Sequence, residues 1–156
     1  MASLYDTDFY GWTQDQAAKL RKLMAERPNL DLDVENILEE IDGLGRSDYR
    51  QLVSRLEEIA IHLLKLHYST LLECERGWKN SVRGQRVRIA RLLRDSPSLR
   101  PRLEDALAVG YEDALRHFSD EKLIELSMPL HLPGTSPFDT SDCLGDEWWP
   151  EMRGAN

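Results

Sequence analysis

A chain of 156 residues with 41% hydrophobic and 31% charged side chains can bury the core of one domain without disulfides or metals to staple it. Its two cysteines, Cys74 and Cys143, stand far apart and in no CxxC or metal-ligand spacing, so neither a disulfide framework nor a zinc module is indicated. No basic segment followed by an apolar one opens the sequence, and no stretch approaches the roughly 18 apolar residues of a membrane span. The expectation is a cytoplasmic protein with no membrane attachment.

The net charge of −8 conceals a division. Between Arg76 and Arg102 there are nine basic residues against a single acid, Asp95, so this segment carries +8 and the remainder −16. The simplest reading is a basic helix packed among acidic ones of the same molecule.

In chain order, a short helical turn is predicted from Asp6 to Trp12, and Thr13-Gln14-Asp15-Gln16 reads as a capping box opening a helix that runs to Arg27, before Pro28. The next helix spans Asp33–Leu44, with Val34, Ile37, Leu38, Ile41 and Leu44 as its buried stripe and Gly43 and Gly45 closing it. Ser47 then caps a long helix to Leu72. There Leu52, Leu56, Ile59, Leu63 and Leu66 repeat at alternating four and three, and its second half from Ile61 onward is apolar on more than one side.

A fourth helix is predicted over Trp78–Arg94, with Trp78, Val82, Ile89, Leu92 and Leu93 inward. A fifth runs over Leu99–Phe118, in which Gly110 on the apolar face suggests close helix approach. A last turn covers Asp120–Leu126, after which Pro129, Pro133, Gly134, Pro137 and Gly145 make continued helix unfavourable. The fold class is therefore all-α, a single-domain bundle of about five helices over residues 1–126 with an irregular carboxy-terminal arm over 127–156. Trp148 and Trp149 on that arm are costly to leave in water. Docking on the same bundle is the leading expectation for them, and anchoring of a partner protein the rival.

Polar residues intrude on the apolar faces. On the long helix His67 falls near the centre of the stripe and His62 at its border beside Glu58 and Lys65. On the fourth helix Gln85 falls in the centre with Arg86 flanking it, and Glu40 borders the stripe of the Asp33–Leu44 helix. Such groups must find hydrogen-bond partners, so they are expected to meet one another. Glu40, His62 or His67, Asp113 and His117 could form a metal site between helices, but no Glu-x-x-His or His-x-x-x-His pair occurs on any one helix. A structural polar core is the favoured alternative, with no metal and no cofactor assigned. Nucleophile elbow, glycine-rich phosphate loop and dinucleotide fingerprint are all missing, and Cys74 lies between Glu73 and Glu75, an acidic setting that disfavours a thiolate.

Several strings taken together, Tyr5-Asp6-Thr7-Asp8-Phe9-Tyr10-Gly11-Trp12, Glu39-Glu40-Ile41, Leu44-Gly45-Arg46-Ser47, His62-Leu63-Leu64-Lys65 and Ser96-Pro97-Ser98-Leu99-Arg100, resemble the bacterial family catalogued as domain of unknown function 29. Trp78, Gln85-Arg86 and Trp149-Pro150-Glu151 extend the resemblance over nearly the whole chain. It implies a compact all-helical domain with no established activity and no catalytic residues to carry over. His62, Glu40, Gln85 and Arg86 match the family pattern better than His67 does.

The leading functional reading is a non-catalytic protein-interaction or regulatory domain, with a protein partner or self-association. An enzyme or a metal- or small-ligand-binding protein with a site near Glu40, His62, Gln85 and Arg86 is the first alternative. Nucleic-acid binding through the basic helix 78–94 is the second, disfavoured by the overall acidity.

Overall fold

The first helix begins where Ser3 and Asp6 satisfy each other's main-chain N–H groups in a reciprocal capping box, which opens α1, Leu4–Thr7. Asp8 caps α2, Phe9–Glu26, its carboxylate accepting from the Gly11 N–H at 3.1 Å. The start predicted at Thr13 is thereby corrected. Thr13 lies fully buried inside α2, and its hydroxyl donates to the Tyr10 carbonyl at 2.7 Å instead of capping a helix end.

The two helices predicted over Asp33–Leu44 and Ser47–Leu72 are one, α3, Val34–Tyr68, 35 residues long. Gly43 and Gly45 do not end it, because a glycine inside a helix costs only about 1 kcal/mol relative to alanine. Gly45 has a packing reason to be there. A Cβ at this position would lie 2.8 Å from Thr13 Oγ1 and 3.0 Å from Gln14 Nε2, so the missing side chain lets α2 approach α3. The apolar stripe expected near its start is only partly buried, with Val34 enclosed but Ile37 and Leu44 at 36% and 46% exposed.

A 3₁₀ turn at Leu72–Cys74 leads into α4, Glu75–Asp95. A second 3₁₀ segment, Pro97–Arg102, takes up Pro101 and precedes α5, Leu103–Arg116, followed by α6, Asp120–Glu125. The arm is not wholly irregular. Asp139 and Asp142 form another capping box that starts α7, Thr140–Leu144. The computed structural model describes residues 1–153; residues 154–156 of the predicted arm lie outside the described residues. Among the described residues there is no strand, and no helix is long and apolar enough to cross a membrane.

The chain divides into two compact units, one of Met1–Gln51 with Arg91–Arg102, the other of Leu52–Ala90 with Leu103 onward. In the first, polar contacts join distant segments. The Tyr10 N–H donates to Ser96 Oγ at 3.0 Å, Ser96 Oγ donates to Asp48 at 3.2 Å, and the Ser98 hydroxyl donates to Asp8 at 2.9 Å. Burial raises the Asp48 carboxyl above its ordinary range, with the Ser96 hydrogen bond opposing it.

In the second unit the core is the part of α3 from Leu52 to Leu66, where Leu52, Leu56, Ile59, Leu63, Leu64 and Leu66 are fully enclosed, together with Val82, Ile89, Ala106 and Ala114. Ile61 is buried as well, so α3 is covered on more than one side here, as its widened stripe predicts. Gly110 sets the spacing of α5 against α3, since a Cβ there would meet the Val53 carbonyl oxygen at 2.9 Å and the Glu57 nitrogen at 3.0 Å, both backbone atoms.

Backbone atoms cannot move aside as a side-chain tip can, so Gly110→Ala is expected to destabilise by about 1–3 kcal/mol despite its gain in helix propensity. At Gly84 on α4 an added Cβ meets nothing within 4 Å, and Gly84→Ala should stabilise by about 0.5–1 kcal/mol. Urea midpoints of the two variants measure the contrast, and equal shifts of the same sign would refute the close-approach explanation.

Candidate functional site

The four residues singled out from the sequence do not share one set of partners. Glu40 is exposed in the first unit. In the second, Gln85 is half-buried and its side-chain oxygen accepts from Arg55 at 3.3 Å. His62 Nε2 stands 3.5 Å from Glu58, one helical turn away. The ranking of Gln85 and Arg86 is reversed relative to expectation, because the buried stripe of α4 runs Val82, Arg86, Ile89, Leu93, leaving Gln85 at its edge.

Arg86 is only 3% exposed, yet no carboxylate lies within ion-pair distance of it among the described residues. Its guanidinium donates instead to main-chain carbonyls of the arm: Nε to Cys143 at 2.8 Å, Nη2 to Asp142 at 2.9 Å and Trp148 at 3.0 Å, and Nη1 to Asp146 at 3.5 Å. Burial lowers its pKa, though not enough to discharge an arginine. The Trp149 ring lies against the same cation with its centroid 4.6 Å from Cζ, and Arg83 and Lys79 stand 5.0 Å and 5.3 Å from that centroid. Cys143, fully enclosed beside this clamp, has its thiol pushed up to about 12 by burial, which makes it inert rather than reactive.

The clamped arm and α5 enclose a groove of about 430 Å³. Leu107, Tyr111 and Phe138 supply its apolar surface, and Glu104, Glu112 and Asp139 its carboxylates. Tyr111 donates its hydroxyl to the Pro133 carbonyl at 2.6 Å, and burial pushes that phenol up to about 12, so it stays protonated. Hydrogen bonds from the Ser141 hydroxyl and the Asp142 N–H hold Asp139 below the usual carboxylate range, keeping its charge at neutral pH. No cationic side chain lines the groove. None of its six named residues was singled out as a site residue from the sequence, because two segments of irregular periodicity, 134–136 and 138–140, make half of the groove.

Around His62 lies a set of titratable groups. Burial lowers its pKa, helped by the charge of Lys65 and opposed by Glu58, and its Nδ1 is buried without a hydrogen-bond partner. His117 is lowered by burial and then by Lys122 and Lys65, its Nε2 lying 2.7 Å from Lys122 Nζ, a contact that suits a neutral ring accepting from the ammonium. Lys65 is lowered by burial and by Lys122. Among the described residues no three His, Cys, Asp or Glu side chains converge as a group able to hold a metal ion.

Replacing Arg86 by Met would leave four arm carbonyls, those of Asp142, Cys143, Asp146 and Trp148, without this donor. The expected loss is about 2–4 kcal/mol of stability, with faster tryptic or chymotryptic cleavage between residues 127 and 153; an unchanged cleavage rate would show that the clamp does not hold the arm. His62 and His117 both have folded pKa values below the ordinary 6.5, so the unfolded chain takes up protons first. Their contribution is present above about pH 6.5 and is lost as the pH falls through the folded values. The pH dependence of the urea midpoint between about 7 and 5 should flatten in His62→Gln; identical slopes would contradict the burial of a neutral His62.

The residues from 4 to 149 match the family described as domain of unknown function DUF29. No curated protein matches the chain. An α-helical protein of unknown function from Rhodospirillum rubrum, known from a crystal structure, shares the fold at 25% identity with a TM-score of 0.72, over 95% of this chain and 93% of that one. The family match spans almost the whole sequence, and the chain belongs to the DUF29 family, whose function is unknown.

Proposed function

We propose that the protein is a non-catalytic interaction domain that takes a basic, apolar-anchored segment of a partner protein into the groove beside α5. The observation carrying this reading is the composition of the groove, an apolar surface of Leu107, Tyr111 and Phe138 edged by Glu104, Glu112 and Asp139 with no cation among its lining residues. Such a surface favours an aliphatic or aromatic anchor flanked by lysine or arginine. Glu112 shares its charge with Arg116 at 3.0 Å, but both are exposed and such a pair contributes little, so the carboxylate remains available. The buried Cys143 thiol and the protonated Tyr111 phenol offer neither a nucleophile nor a base beside the groove. Cys74 and Cys143 are both free, which supports a reducing, cytoplasmic location.

Ala108 is exposed and lines the groove, so Ala108→Arg should block it while leaving the helix intact. Fluorescence anisotropy with a labelled Leu/Lys amphipathic peptide is expected to show salt-sensitive binding that Ala108→Arg weakens at least about tenfold, or 1.4 kcal/mol. Equal binding of the matching Leu/Glu peptide, or no effect of Ala108→Arg, would overturn the proposal.

A further inference from the structure

A second cavity lies wholly within the first unit and has the opposite chemistry. It is about 250 Å³ in volume and is lined by three guanidinium groups, Arg21, Arg46 and Arg102, against one carboxylate, Asp42. Two of the three arginines have acidic partners. Arg21 meets Asp42 at 2.7 Å, and Arg46 meets Glu39, an exposed residue outside the cavity lining, also at 2.7 Å.

Arg102 has no carboxylate within 4 Å among the described residues. It is nevertheless held firmly. Its Nη1 donates to Tyr10 Oη at 2.7 Å, and its Cζ sits 4.2 Å from the centroid of the Tyr49 ring. One contact out of the five N–H donors of a guanidinium leaves a planar fork with donors to spare, fixed by a stack on one side and a phenol at one end. Because Tyr10 Oη accepts from Arg102, its own proton is free to donate into the cavity. Tyr10 is itself buried, so the phenol cannot swing out to water. Three guanidinium groups and a phenol along the lining of one small volume, against a single carboxylate, match an oxyanion that accepts at several oxygens at once.

We propose that this cavity is a binding site for a small phosphate monoester, with Arg102 as its bidentate anchor, Tyr10 as a second donor and Arg46 as a cation that Glu39 holds at the rim. The volume lies below the roughly 300–1,000 Å³ of ordinary ligand pockets, which selects a phosphate on a short organic stem over a dinucleotide. The site is independent of the groove beside α5, shares none of its residues, and stands or falls separately from the interaction reading.

Isothermal titration of the full chain with inorganic phosphate and with phenyl phosphate, at constant ionic strength set by sodium chloride, tests it. Saturable one-to-one binding is expected for phenyl phosphate, and a tighter response than to inorganic phosphate indicates an organic stem. If inorganic phosphate binds as well as or better than phenyl phosphate, the site takes free phosphate, and the monoester assignment is overturned. Arg102→Lys keeps the charge but loses the planar fork and should weaken binding at least about tenfold. Glu39→Gln, at an exposed position beside Arg46, removes a negative charge that repels a bound dianion and should tighten binding severalfold. If Arg102→Lys fails to fold by circular dichroism, Glu39→Gln decides, and an unchanged or weaker affinity there overturns the site. Absence of saturation by either compound up to roughly 10 mM, or Arg102→Lys binding as well as the parent chain, also overturns it.

Discussion

A guanidinium taken out of water must place its donors somewhere, and in Arg86 they go to peptide carbonyls rather than to an acid. The second unit depends on this choice. An arginine buried against a carboxylate would fix one side chain, whereas one bonded to Asp142, Cys143 and Trp148 fixes the course of the backbone over seven residues. That course positions α7 and presents Phe138, whose ring lies 5.8 Å from that of Trp148 and 6.2 Å from that of His67. Phe138 in turn forms one side of the groove whose other side is Leu107 and Tyr111 on α5. The groove is therefore a consequence of a buried cation on α4 that never touches it. A lysine could not substitute, because a compact ammonium presents three donors from one point and could not span the separated carbonyls.

The fold was largely legible in the sequence, because long amphipathic helices repeat their pattern often enough for the register to be read. The failures come where two registers fit equally well. On α4 the apolar set includes both Leu92 and Leu93, so a stripe can be drawn through Gln85 toward Leu92 or through Arg86 toward Leu93. Burial chooses the second, with Leu93 at 3% and Arg86 inside. Hydrophobicity alone would put the less polar-looking Gln inside, since it takes no account of an aliphatic stem ending in a well-satisfied fork. On α3 the glycines read as a stop. Yet Val34, Leu38, Ile41, Gly45, Leu52 and Leu56 keep one phase across them, and that continuity was the signal that one helix continues.

The groove and the phosphate cavity were not legible in the same way. Each draws on segments far apart in the chain, α5 with residues 134–140 for one, α2 with α3 and Arg102 for the other. No spacing rule links Tyr10 to Arg102 across 92 positions. What brings them together is a set of hydrogen bonds in which the short polar side chains of Ser96, Asp48, Asp8 and Ser98 bond one another and the Tyr10 N–H, and which look like ordinary caps when read locally. Asp8 is both the cap of α2 and the acceptor of the Ser98 hydroxyl, so one carboxylate starts a helix and ties down a distant 3₁₀ segment. Sequence reading sees the first role and misses the second.

The charge division of the sequence takes a different meaning once its cations are located. A basic segment neutralised by acidic helices would show ion pairs, but among the described residues Lys79 with Glu75 is the pair that the segment from Arg76 to Arg102 makes within 4 Å. Its other engaged cations rest on aromatic rings, carbonyl oxygens and a phenol: Arg83 and Arg86 against Trp149, Arg86 on arm carbonyls, Arg102 against the Tyr49 ring and the Tyr10 hydroxyl. Those partners hold a cation in place without cancelling its charge. Where Arg86 spends its donors on backbone the result is a sealed clamp. Where Arg102 keeps most of its donors, beside a cavity and with the charge intact, the same kind of packing leaves a site that an anion can complete.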